Sequence, residues 1–255
     1  AQYTTLNEKL GIQSGITPSP GVYPSVGYWC FGNKGHTSQI GADGIGLNIV
    51  AQHRATDAAL FNQLPFVLRP ATEDLTVSER ANYALRRVET HGGDSYIAYY
   101  LKRINKTGIV AEMQYRANTN GTITVTPFVP TAANLSPAPV VIPDTGVTTL
   151  TGDYAVVTAE VDISLSAWEV AELLNVAEIL YGDRNYAIIS EIGICSGVDK
   201  VVTVTPSTGP TFNFNEAIGV QINTHVAALN MLSSSNSGVT RILGLGTNDP
   251  LFNIA

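Results

Sequence analysis

The sequence predicts a β-dominated α+β fold, in which antiparallel hairpins build a meander and one principal capped helix packs on a sheet. Three observations predict it. Only one stretch carries a long helical period: between Ser166 and Tyr181, residues Trp168, Val170, Ala171, Leu173, Leu174, Ala177, Ile179 and Leu180 form a broad apolar stripe. Two pairs of β-prone runs meet at tight-turn sequences, His91-Gly92-Gly93-Asp94 and Asn118-Thr119-Asn120-Gly121. Two further stretches, 154–164 and 218–226, alternate apolar and polar residues with the period of a strand buried on one face.

Taken in order, residues 1–20 are polar, then broken by Gly and Pro, and read as an arm that orders only against a neighbour. Residues 21–134 form a β-rich half. Within it, 21–32 is a strand rich in Tyr23, Tyr28, Trp29 and Phe31, serving either as core or as an aromatic contact surface. The stretch 33–46 reads as a glycine-broken loop. Thr56 and Asp57 are expected to cap a short helix, DAALFNQL, stopped by Pro65. Phe66 to Leu68 is a short apolar strand, and 75–83 carries a further helical turn. Residues 84–129 then read as a continuous antiparallel meander.

Residues 135–150 fall in a proline-rich connector, the one plausible boundary between domains. The last part, 151–255, is a strand–helix–strand half with a C-terminal tail, and the halves could equally be one intertwined domain. Its helix opens on a capping box, Ser166 with Glu169, and closes at Gly182, where a left-handed residue is wanted. A mostly buried strand over 187–194 follows, then a short strand at 201–205. In the strand over 218–226, Gln221, Asn223 and His225 are placed on the polar side. The apolar tail, with Leu251 and Phe252, is expected to dock on the protein's own body or on a neighbour.

Charged residues make up 14% of the chain, against about 25% in ordinary soluble proteins. Such a neutral polar surface suits either a turn-rich β domain or a protein that meets other proteins over much of its area. A net charge of −7 argues against nucleic acid as the main partner. No apolar run reaches the roughly 20 residues of a membrane span. The N-terminus lacks a basic start followed by an apolar run, so it does not read as a signal peptide, and an initiator Met is expected to have preceded Ala1. Two cysteines, Cys30 and Cys195, make no disulfide framework, and both read as buried apolar residues.

No catalytic constellation stands out. His36, His53, His91 and His225 are scattered, no two of them at helical i, i+4 spacing, and no metal, cofactor or catalytic residue is expected. Cys195 sits centrally in Gly193-Ile194-Cys195-Ser196-Gly197, yet a strand follows where a nucleophile elbow needs a helix. Neither 41–46 nor 244–246 forms a phosphate cradle. The residues expected to meet partners are Tyr3, Tyr23, Tyr28, Trp29, Tyr99, Tyr100, Leu251 and Phe252.

The runs HRATDAALFNQLPFVLR, YALRRVETHGGDSYIAYYLKRI and YAIISEIGICSGVD resemble virion structural proteins of contractile-tailed bacteriophages, in the tail and baseplate group, with some similarity to baseplate wedge subunits. The resemblance implies a non-enzymatic assembly protein, made in the host cytoplasm and placed in the virion in many copies. Its partners would be other virion proteins and copies of itself in a symmetric assembly. A neck or collar component, a receptor- or carbohydrate-binding module whose surface is the Tyr-rich hairpin, and a hydrolase are the alternatives.

Overall fold

The structure, a computed structural model, describes residues 10, 12, 18–54, 57–119, 121–129, 154–206, 209–233 and 237–250. The fold is β-dominated α+β, mostly antiparallel sheet with one sizeable helix. The chain divides into two compact units, Ala1–Asn105 with Ile163–Thr240, and Lys106–Asp162 with Arg241–Ala255. Each unit therefore draws on both halves of the chain. The connector at 135–150, Tyr3, Leu251 and Phe252 lie outside the described residues.

The first unit is built on a seven-stranded sheet. Its strands are β1 (Ser25–Gly32), β4 (Gln63–Leu64), β5 (Val67–Pro70), β6 (Tyr83–His91), β7 (Asp94–Arg103), β11 (Ile188–Val204) and β12 (Phe212–Met231). The order is β12-β11-β1-β7-β5, with β4 on β1 and β6 on β7. β11 is longer than the two short runs that predict it, because it stays paired with β12 from Ile188 to Val204. β1 inserts between β11 and β7, so both of its edges are paired, and its aromatic residues Tyr28, Trp29 and Phe31 are buried.

The principal helix, α2 (Ala167–Tyr181), lies on the face that carries Trp29, Tyr83 and Lys102; its range and caps match the sequence reading, with Gly182 at φ 70. A short helix, α1 (Val77–Arg80), precedes it in the chain and has its own capping box, Thr76 with Glu79. Two glutamates on the buried side of α2 are absent from the apolar stripe. Glu169 accepts from Tyr83 Oη at 2.9 Å and Lys102 Nζ at 2.6 Å, and Glu172 takes Arg69 in a two-pronged pair. They are buried because each has charged or hydroxyl partners inside. Beneath α2, Trp29, Phe31, Phe66, Tyr83 and Tyr99 form a chain of tilted and edge-on ring contacts. The opposite face buries Tyr28, Cys30, Leu85, Tyr100, Cys195 and Ile222. Leu10 and Ile12 dock there, and Leu10 O accepts from Arg87, so the arm is anchored on its own body at these two points.

Several expectations differ from the structure. The stretch 33–46 is not all loop: β2 (His36–Ile40) and β3 (Gly46–Val50) pair as a separate two-stranded ribbon. The DAALFNQL helix does not form. Residues 57–62 are irregular, because the Phe61 and Asn62 amides, which a helix would bond to its own carbonyls, are taken by Glu191. The meander is broken: β6–β7 belongs to the first unit's sheet, while β8 (Ala111–Thr119) and β9 (Thr122–Pro127) belong to the second unit. The part of the tail up to Pro250 is a strand.

The second unit is a four-stranded sheet in the order β13-β10-β8-β9, where β10 is Tyr154–Ser166 and β13 is Gly238–Pro250. All six residues of β9 are exposed. Successive strand residues point to opposite faces, so neither face of this edge is covered.

Candidate functional site

The polar site of the first unit forms where β1, β11 and β12 run side by side. Directly opposed residues share a face, so the register places Cys30, Gly32, Glu191, Gly193 and Cys195 together. On β12, strict alternation would leave His225 on the face away from Ile222. A bulge intervenes: Cys195 opposes Ile222 and Ile194 opposes Thr224, so Asn223 is the extra residue. Past the bulge His225 opposes Gly193 and faces the same way as Glu191.

Glu191 is 1% exposed. Its Oε1 accepts the Asn62 amide at 2.9 Å, and its Oε2 accepts the Phe61 amide at 2.9 Å. His53 Nε2 lies 2.9 Å from the same Oε2, and His53 Nδ1 lies 3.4 Å from Asp57 Oδ2. The imidazole thus stands between two carboxylates, and when protonated it can face one with each nitrogen. Asp57 is itself positioned by the Arg54 amide at 2.8 Å. The His53 ring is stacked between Phe61 and His225, with centroids 4.1 Å away on each side. Two glycines make the room. A Cβ on Gly32 would lie 2.4 Å from Glu191 Oε1 and from the Asn62 carbonyl, and one on Gly193 would lie 2.8 Å from Cys30 Sγ.

Burial, and then His53, hold His225 below the usual imidazole range, against the opposing pull of Asp57, Glu191 and the Ala59 backbone. His225 Nε2, His53 Nδ1 and Asp57 Oδ1 are buried without a hydrogen-bond partner. The site opens on a cleft of about 480 Å³ lined by Gln52, His53, Arg54, Asn223 and His225 among others. The near-parallel stacking of the imidazoles aims their nitrogens in two separate planes. Among the described residues no group of three or more His, Cys, Asp or Glu could hold a metal ion. Ser190, the neighbouring hydroxyl, is engaged with the Gly35 amide at 2.7 Å and serves the backbone. This cluster is not among the residues that the sequence singles out. Its one visible signal is the four-residue spacing of His53 and Asp57; the rest depends on the Asn223 bulge.

The two cysteines are buried neighbours that share a thiol hydrogen bond, with sulfurs 3.8 Å apart and no disulfide between them. Cys195 is held well above the usual thiol range by its bond with Cys30 and by burial, so it is a structural thiol.

Of the residues expected to meet partners, Tyr23 is 81% exposed, but Tyr28, Trp29, Tyr99 and Tyr100 are buried. The expectation of a contact surface there is corrected by strand order: β1 and β7 are interior strands, and their aromatics form the core. The hydroxyls end on carboxylates, Tyr28 on Asp199 at 2.9 Å, Tyr99 on Asp74 at 2.5 Å and Tyr100 on Glu89 at 2.7 Å. Arg103 and Arg86 complete the first two networks. The exposed apolar residues lie elsewhere. They include Ile40, Ile45, Leu47 and Ile49 around the β2–β3 ribbon, and Val110, Ile123, Val125 and Val129 around β8 and β9. Neither β2, β3 nor β9 contains Asp, Glu, Lys or Arg.

Among the described residues no helix is long and apolar enough to cross a membrane. The model of a family described as a family of unknown function (DUF7208) matches residues 1–254. No curated protein and no solved structure matches the chain.

Proposed function

The chain belongs to this family of unknown function, and we propose that it is a non-enzymatic structural subunit of a bacteriophage virion, built into the tail or baseplate. It works by contact with copies of itself and with other virion proteins in a symmetric assembly. The observation that carries this reading is the pair of uncharged, apolar β edges. Soluble proteins blunt exposed edge strands with charge, proline or a covering element, because unpaired backbone groups recruit other strands. β9 has a proline only at its last position, Pro127, and Ile123 and Val125 are exposed along it. The β2–β3 ribbon is a two-stranded sheet with every position from Thr37 to Ile40 and from Gly46 to Val50 exposed. A two-stranded ribbon is marginal in water and is completed by what packs on it. The phrase-level resemblance to contractile-tail proteins supplies the particle.

The test has two parts. Light scattering or native mass spectrometry of the purified chain over rising concentration is expected to show a closed oligomer. Mass spectrometry of particles from a phage encoding the chain is expected to find it in stoichiometric multiples. A chain that stays monomeric throughout and is missing from the particle overturns the proposal.

A further inference from the structure

The connection between β3 and β4 holds no regular structure in its described parts, 51–54 and 57–62, and its second part depends on the polar site for its position. Three bonds reach it from Glu191: to the Phe61 amide, the Asn62 amide and the His53 ring. Asn33 adds a fourth tie by donating its amide to the Asn62 carbonyl. From the other side the connection is pressed by one ring of β12, His225, stacked 4.1 Å from His53. The titratable and charged groups here are His53, Asp57 and Arg54 from the connection, Glu191 from β11 and His225 from β12. The two imidazoles are not equivalent. His53 has a carboxylate oxygen near each nitrogen, whereas His225 Nε2 has no hydrogen-bond partner.

We infer that the stacked His53–His225 pair is an acid-sensitive latch: Glu191 holds the connection through the His53 ring and two amides, and a proton on His225 releases it. That proton would put charge on a half-buried ring stacked 4.1 Å from His53, and of the two rings only His53 has a carboxylate oxygen near each nitrogen. Relief comes by unstacking, which frees Phe61 and the Glu191 bonds together.

The sign follows from linkage. His225 lies below the usual imidazole range in the closed state. In the open state it returns to about 6.5. Above that pH neither state binds the proton and the latch is indifferent to it. Below it the open state binds one proton more, so closing weakens by up to about tenfold per pH unit until the closed state also protonates.

Hydrogen exchange of the Phe61 and Asn62 amides, as protection factors corrected for intrinsic rate, tests this between about pH 7.5 and 5. Protection at both amides is expected to fall across the window, by up to about tenfold per pH unit, while Tyr99 in β7 keeps its own. His225→Gln, which stacks without titrating, is expected to abolish the fall. Flat or rising protection in the natural chain, or an undiminished fall in the variant, overturns the latch. Should the variant not fold, NMR titration of the His225 ring in the natural chain decides: a midpoint below the ordinary value of about 6.5 supports the latch, and one at that value or above removes it. None of these measurements depends on assembly, so they stand apart from the virion reading.

Discussion

A carboxylate that is 1% exposed must find its partners inside the protein, and Glu191 finds three, two amides and an imidazole. Glu191→Gln keeps the shape but turns one acceptor oxygen into a donor that faces a donor. A buried donor left without its acceptor costs about 1–3 kcal/mol, and a loss of that size is expected in urea unfolding. A loss below 1 kcal/mol would show that the connection is held by packing instead. The four buried tyrosines make a second case. Tyr28, Tyr83, Tyr99 and Tyr100 are all pushed above the usual phenol range, first by burial and then by the carboxylate each one bonds. The fold therefore keeps these protons where the unfolded chain gives them up. Stability is insensitive to the four below about pH 10 and declines as pH rises beyond it. In an alkaline titration, four of the eleven tyrosines should ionise only as the β-sheet signal is lost. Phenolate absorbance complete for all eleven while that signal persists would contradict the internal networks.

Among the elements, α2 is the one whose every boundary follows from local rules. Ser166 accepts the Glu169 amide while Glu169 accepts the Ser166 amide, and Gly182 takes a left-handed φ of 70. Ser166→Ala should cost about 1 kcal/mol. Gly182→Ala should cost a similar amount, about 1 kcal/mol, because a Cβ is strained at positive φ. Thermal melts of the two variants check both, and an unchanged melt for Gly182→Ala would mean that the helix end frays. The capped helix and the Gly-Gly hairpin were legible in the sequence for this reason: their causes lie within four residues. The 57–64 segment was not. Its local signals favour a helix, but Glu191, about 130 residues away, captures two of the amides that such a helix needs. His225 was misplaced because the alternation of β12 was projected through Asn223, and one extra residue reverses every side chain beyond it. Composition shows that aromatics are concentrated without showing which strand lies inside the sheet, so the buried tyrosines look like a contact surface in the sequence.

For the molecule as a whole, the low charge of the sequence has a structural counterpart. Of fourteen basic residues, Arg69, Arg86, Arg87, Lys102 and Arg103 are each paired with a carboxylate on another element or an adjoining loop and are partly or largely screened from water. What remains for the surface is sparse in charge, and it is sparsest where apolar strand residues are exposed. Scattered exposed apolar residues are ordinary, but a contiguous uncharged strand edge is a template for pairing. Charge placed on that edge should therefore act on association more than on folding. Ile123→Asp with Val125→Asp in β9 puts two carboxylates on side chains already in water, so the melting temperature should change little. Self-association measured by sedimentation should weaken by tenfold or more, about 1.4 kcal/mol per tenfold step. Val77→Asp on α1 changes a still more exposed apolar side chain away from any sheet edge and should leave association as it was. If both substitutions weaken association equally, general surface charge governs it. If neither does, β9 is not where copies meet, and the β2–β3 ribbon becomes the edge to charge next.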